Sequence, residues 1–249
     1  MRRELSARSG VALMAWLTLV LWLDRSDGGG GLVLQRGLGG LTWLLLLGVL
    51  ARAEPAVRAQ TVVVVAVATT VEYLASPLLQ VYTYRFDNVP AFVPPGHGLV
   101  YLSALALGQA GPVRRHPRRA LAGVLGVGGA WAAHGLLVAD RPDVLGAFWF
   151  GCLVVFCLVG PSRAVYVGAF VAVGWLEVAG THLGTWEWAR LDPTGWVSIG
   201  NPPSGAAGGY AWFDLAGLGA APWLLRAWSR ARARVSARRP TARVVDGAR

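Results

Sequence analysis

Apolar residues gather in long blocks along this chain, with little of the alternation that would mark strands. Residues 11–23, 37–51, 59–81, 98–110, 120–139, 144–160, 164–182 and 206–225 are each dominated by Val, Leu, Ala, Gly and aromatic side chains. Short polar or Gly/Pro-rich stretches separate them. Blocks that are apolar all round belong inside a bilayer, whose hydrocarbon core takes about 20 helical residues, although several of these are shorter. The pattern predicts an all-α polytopic membrane helical bundle of about eight transmembrane helices. The first block follows Arg2, Arg3 and Arg8. No small-x-small cleavage site comes after it, so it reads as an uncleaved helix rather than a signal peptide.

An even number of spans places both termini on one side. Placing that side in the cytoplasm leaves only Arg25, Arg36, Arg85, Arg141 and Arg190 in outer loops. The outer loops also carry Asp24, Asp27, Asp87, Asp140, Asp143, Glu187 and Asp192. The positive-inside rule therefore predicts a multi-pass protein of the cell membrane with both ends cytoplasmic.

Composition sharpens this picture. The chain is 55% hydrophobic and 14% charged, against about 25% charged in soluble domains. Its net charge of +10 does not point to nucleic acid, because the arginines fall in loops and in a tail spanning 226–249. That tail is expected to meet lipid headgroups. The remainder, 1–225, reads as one transmembrane domain with two candidate repeat halves, 1–113 and 120–225. Between them lies the basic segment Arg114-Arg115-His116-Pro117-Arg118-Arg119. Cys152 and Cys157, five apart in one block, face different sides of a helix and are not expected to pair. Metal-ligand spacings and cofactor loops are not found, so no metal and no cofactor is expected.

The chemistry lies in a pattern that occurs twice. Glu72 interrupts the third block and is followed by Tyr82 and Tyr84, then Arg85, Asp87 and Pro94-Pro95-Gly96-His97-Gly98. Glu177 interrupts the seventh and is followed by Trp186 and Trp188, then Asp192 and Gly200-Asn201-Pro202-Pro203-Ser204-Gly205. A carboxylate inside an apolar block is costly, which makes it a functional candidate. Counting along the helices from the outer side puts Glu72, Glu177 and Asp214 at similar depth, with His97 at a loop end beside them. Carboxyl groups sharing a dry pocket do not ionise together, which supplies an acid beside a base. Aromatic ring faces stabilise a developing cation. Glu72, Glu177, Asp214 and His97 are therefore the candidate catalytic residues. Tyr82, Tyr84, Arg85, Trp186, Trp188 and Asn201 are the candidate substrate-binding residues. The aromatic pairs also suit an interfacial belt, and the acids also suit interhelical hydrogen bonds.

The stretch Glu177-Val-Ala-Gly180-Thr-His-Leu-Gly184-Thr-Trp186-Glu-Trp188 resembles the E-x-x-G-x-x-x-G-x-aromatic-x-aromatic run of the membrane carotenoid-biosynthesis family that includes bisanhydrobacterioruberin hydratase. The resemblance implies a polyprenoid substrate and water addition. It carries over to Glu177, Gly180, Gly184, Trp186 and Trp188, and not to Glu72, His97 or Asp214. Three classes thus fit the sequence: an acid/base enzyme, hydratase- or cyclase-like, on an isoprenoid, carotenoid or other lipid; a small proton-coupled transporter; and a non-catalytic scaffold. Membrane lipid is the expected partner in each; the oligomeric state is left open.

Overall fold

A computed structural model describes residues 6–237, with side chains through residue 231. Arg2, Arg3 and the far end of the arginine tail lie outside the described residues. The described chain is mostly helical: α1 (Ala7–Leu23), α2 (Leu32–Arg52), α3 (Pro55–Tyr73), α4 (Val93–Gly108), the short α5 (Gly111–Arg115), α6 (Pro117–Leu137), α7 (Val144–Val159), α8 (Arg163–His182) and α9 (Ala206–Ala237). A π-helical turn, Leu74–Leu78, continues α3, and two strands follow, β1 (Tyr82–Tyr84) and β2 (Trp186–Trp188). Among the described residues, four helical stretches are long and apolar enough to cross a membrane: Leu32–Arg52, Pro55–Leu78, Pro117–Leu137 and Arg163–His182. α1 and α7 are shorter apolar helices.

Several sequence expectations need correction. The bundle is not purely helical, because the aromatic pairs expected in loops form β1 and β2. Pro94 and Pro95 do not make a turn. They occupy the first turn of α4, where a missing N–H costs nothing and a fixed φ suits the helix. His97 is consequently a buried helical residue, not a loop-end residue. The basic segment at 114–119 holds the last two residues of α5 and the first turn of α6, with the break at His116. α9 itself runs to Ala237, with Pro222 inside it.

α4 is the core helix. Nearly every residue from Pro95 to Ala106 is buried, and α1, α3 and α8 pack around it. The tightest join is with α8. Ala104 and Gly108 on α4 face Ala164 and Gly168 on α8, and a Cβ on either glycine would overlap the opposing backbone. Small residues four apart let apolar helices touch where lipid supplies no hydrophobic drive. α3 packs on α9 as extensively as α4 packs on α8. α2, α6 and α7 lie outside and expose large apolar side chains, including Val33, Leu44, Leu137 and Val159. Cys152 and Cys157 are both free thiols.

Candidate functional site

The site is built from the two repeated patterns, brought together by a two-stranded antiparallel ribbon. Tyr82 pairs with Trp188, Thr83 with Glu187 and Tyr84 with Trp186. Strand side chains alternate between faces, so the four aromatics share one face while Thr83 and Glu187 are exposed on the other. Backbone bonds extend the ribbon, from Ala189 N to Val81 O and from Arg85 N to Thr185 O.

Each strand turns its rings back onto the carboxylate of the helix before it. The hydroxyls of Tyr82 and Tyr84 donate to Glu72 Oε2 at 2.9 and 2.8 Å. The indoles of Trp186 and Trp188 donate to Glu177 Oε2 at 3.1 and 3.0 Å. The local sequence makes the return possible. Gly184 ends α8 with φ +65°, and at Gly180 a Cβ would overlap the ring of Trp186. The glycines of the E-x-x-G-x-x-x-G run thus make space for a ring and reverse the chain. In the first pattern Gln80 has φ +52°, two residues before Tyr82 as Gly184 is two before Trp186.

His97 completes the first cluster: its Nε2 lies 2.8 Å from Glu72 Oε1. A carboxylate oxygen only accepts, so Nε2 is assigned as the donor to Glu72. The other ring nitrogen, Nδ1, is buried without a partner. Tyr210 and Phe213 of α9 pack on the imidazole, with ring centroids 5.2 and 5.7 Å away. No cation lies against Glu177 among the described residues, and its Oε1 holds no hydrogen bond.

Both clusters open onto one cavity of about 380 Å³. Its wall includes Glu72, His97, Glu177, Tyr210 and the four ribbon aromatics, and is otherwise mainly aliphatic, with Leu17, Val20, Val100 and Leu176. Glu72, Glu177 and His97 are all at least nine-tenths buried. Two wall residues, Val71 and Trp212, are also exposed on the flank of the bundle, at 37% and 54%.

Other sequence candidates stand elsewhere. Asp214 is buried but not on the cavity wall. Arg85 faces the opening loop, where it donates to the carbonyls of Gly30 and Gly29 and lies 3.8 Å from Asp24, rather than pairing with the exposed Asp87. Burial pushes the Asp24 carboxyl up from its ordinary value, against the pull of Gln35 and Arg85. Asn201 accepts from the backbone N–H of Trp188 at 3.1 Å, so it positions β2 and does not reach the cavity.

Sequence reasoning missed Tyr210, Trp149 and Phe213 in the wall, for none of them breaks an apolar block. It also missed two anchors of the roof. Arg141 donates to the carbonyls of Trp188, Ala189 and Ile199. Asp143 accepts from the N–H groups of Gly146, Gly200 and Ser204. Among the described residues no group of acidic, His or Cys side chains is arranged to hold a metal ion. Comparison with protein-family models, curated proteins and solved structures found no match to this chain.

Proposed function

We propose that the chain is an eight-span integral membrane protein with both ends cytoplasmic, and that its cavity is the active site of an acid/base enzyme acting on a prenyl or other lipid chain. The observation that carries this reading is the unequal pair of carboxylates in one mainly apolar wall: Glu72 bonded to an imidazole, Glu177 bonded only to indoles. A cavity of about 380 Å³ lies within the roughly 300–1,000 Å³ typical of ligand pockets. Val71 and Trp212 give it a side open to the acyl region, the expected route for a lipid substrate. The resemblance to the carotenoid-biosynthesis family adds weight to a polyprenoid.

In the proposed reaction Glu177 carries a proton on Oε1, since no cation stands by to balance its charge in the apolar wall. That proton moves to one carbon of a substrate double bond, and the cation formed on the other carbon lies among the Tyr and Trp ring faces. Water adds to the cation while His97 Nδ1 takes the proton the water releases, with Glu72 holding the imidazole. A bound chain whose own second double bond replaces water would close a ring instead. A proton then returns from His97 to Glu177, leaving the enzyme unchanged.

A second reading, proton-coupled transport through the same acids, is favoured by one observation. Asp214, buried one turn beyond Tyr210 on α9, extends the buried polar groups past the cavity. Lipid and pigment profiling of a deletion strain separates the two. The enzyme reading expects an accumulated unsaturated prenyl precursor, restored to product by the wild-type gene and not by Glu72→Gln or Glu177→Gln at equal membrane abundance. Normal product in either variant would remove the catalytic assignment.

A further inference from the structure

Beneath the cavity lies a second polar layer. Tyr101 on α4 and Asp214 on α9 are four residues further along their helices than His97 and Tyr210, about 6 Å deeper at ~1.5 Å per residue. Gln60 on α3 and Tyr166 on α8 belong to the same layer. On one side it is closed: the Tyr101 hydroxyl donates to Gln60 Oε1 at 2.9 Å. On the other side it is open. Tyr166 is fully buried with its hydroxyl unpartnered, and Asp214 is 4% exposed with Oδ2 unpartnered. α8, which carries Tyr166, packs on both α9 and α4. A buried carboxyl and a buried hydroxyl left without a direct partner suit a bridging water.

Tyr210, one turn before Asp214 on α9, lines the cavity that holds Glu72 and Glu177. Tyr166 lies three residues from Arg163, the first residue of α8, at the end of the bundle where Arg52 and Arg58 also lie. The titratable neighbours are Tyr101 from α4, Tyr166 from α8, Cys157 from α7 beside Tyr166, and Tyr210 from α9 itself.

We propose that Asp214 is a proton-binding site that exchanges with the arginine-rich end of the bundle past Tyr166 and serves the cavity past Tyr210. The exchange is a simple protonation. The Asp214 carboxyl gives its proton to the bridging water and takes one back, with no other bond made or broken. Its use in turnover, returning a proton to Glu177 after His97 has accepted one, rests on the reaction proposed above. The site itself does not.

Infrared difference spectroscopy of the purified full chain in lipid nanodiscs tests the proposal without substrate. The wild type is expected to show the C=O band of a protonated carboxyl that is missing in Asp214→Asn and shifts on transfer to D2O. Should Asp214→Asn not fold, ¹³C-labelled aspartate shows that the band belongs to an aspartate, and its persistence in Asp24→Asn and in Asp143→Asn excludes the other buried aspartates. Tyr166→Phe keeps the ring and is expected to retain the band while slowing its D2O shift at least tenfold. Three results would overturn the proposal. They are an acid band unchanged by Asp214→Asn or by the label, an exchange rate unchanged by Tyr166→Phe, or a band abolished by sodium chloride but not choline chloride at fixed pH, the mark of a metal-ion site. A chain with these bands but no effect on prenyl lipids would sink the reaction and leave the site standing. Activity without the bands would sink the site alone.

Discussion

The two carboxylate clusters are built on one plan and finished differently. In each, a helix carries the acid towards its C-terminal end, the chain reverses through a residue with positive φ, and a three-residue strand brings two aromatic donors back. The second cluster does this in nine residues from Glu177 to Trp186; the first uses ten from Glu72 to Tyr82. The additional residue is taken up by the π-helical turn at Leu74–Leu78. A π turn is a local widening by one residue, often found at functional sites. The next helices differ as well. The fifth residue of α4 is His97, the fifth of α9 is Tyr210, and the two rings pack against each other at a tilt of 32°. A matching architecture with one imidazole gives two carboxylates in unlike surroundings, which is what separating an acid from a base requires.

The largest expected effects test that asymmetry. Glu72→Gln and His97→Asn should each lower product formation by about 10²–10⁴-fold, the usual worth of a general acid or base. Combining them should cost little more than either alone, since the two act as a unit. Glu177→Gln should lose as much, but its loss should add to that of His97→Asn in the double variant. Multiplicative losses for Glu72 with His97, measured in membrane preparations, would dissolve the dyad.

Next in size is the space each half leaves for its rings. Gly180→Ala sets a methyl against the Trp186 indole and should cost about 1–3 kcal/mol, as overpacking generally does. Ala75 stands at the same distance from Glu72, and Ala75→Gly should cost no more than about 1 kcal/mol. Thermal unfolding in detergent compares them. Equal shifts would mean that the ring over Gly180 is not what that glycine serves.

The reversing residues should respond with opposite signs. Gln80→Gly relieves a left-handed residue and should stabilise by roughly 1 kcal/mol, less the entropy that glycine adds to the unfolded chain. Gly184→Ala should destabilise, because φ is +65° and its Cβ would overlap Ser26. A destabilised Gln80→Gly would break the correspondence between the two turns.

The smallest effect belongs to an exposed loop that only the second half has. Asp192 accepts from the N–H of Val197 and from Thr194, which hold its carboxyl below the ordinary value. A lowered folded-state value means stabilisation present above the unfolded carboxylate range and lost as pH falls through the folded value. Fluorescence of the exposed Trp196 beside it should therefore change only in acid, below the ordinary Asp range, and the change should vanish in Asp192→Asn. A transition at neutral pH would assign it to another group.

Much of this arrangement was legible in the sequence because its signals are covalent spacings. Apolar blocks marked the helices, and acids within them marked Glu72, Glu177 and Asp214 as buried. The repeated interval from acid to aromatic pair set each acid beside its own aromatics, but as ring faces for a cation, not as the hydrogen-bond donors they are. What the spacing did not carry was partner choice between distant segments. Tyr-Thr-Tyr and Trp-Glu-Trp each alternate as a strand does, but three residues are too few to distinguish a strand from a loop, and each finds its partner in the other half of the chain. Two prolines looked like a turn, although the same residues open helices. That reading placed His97 outside α4 and hid its register with Tyr210. Asp214 shared the counted depth of the other acids, yet helix packing put it under the cavity. Tyr210 and Trp149 gave no signal, since aromatic residues are ordinary inside a bilayer.

The pairing of Tyr82–Tyr84 with Trp186–Trp188 bears on how the protein is made. A ribosome releases the first strand long before the second exists, so its backbone edge and the Glu72 chamber stay unroofed until α8 has been threaded and β2 emerges. The shared cavity is then sealed late in synthesis, and a truncated product lacking the second strand would present an unclosed edge to quality control instead of a closed chamber.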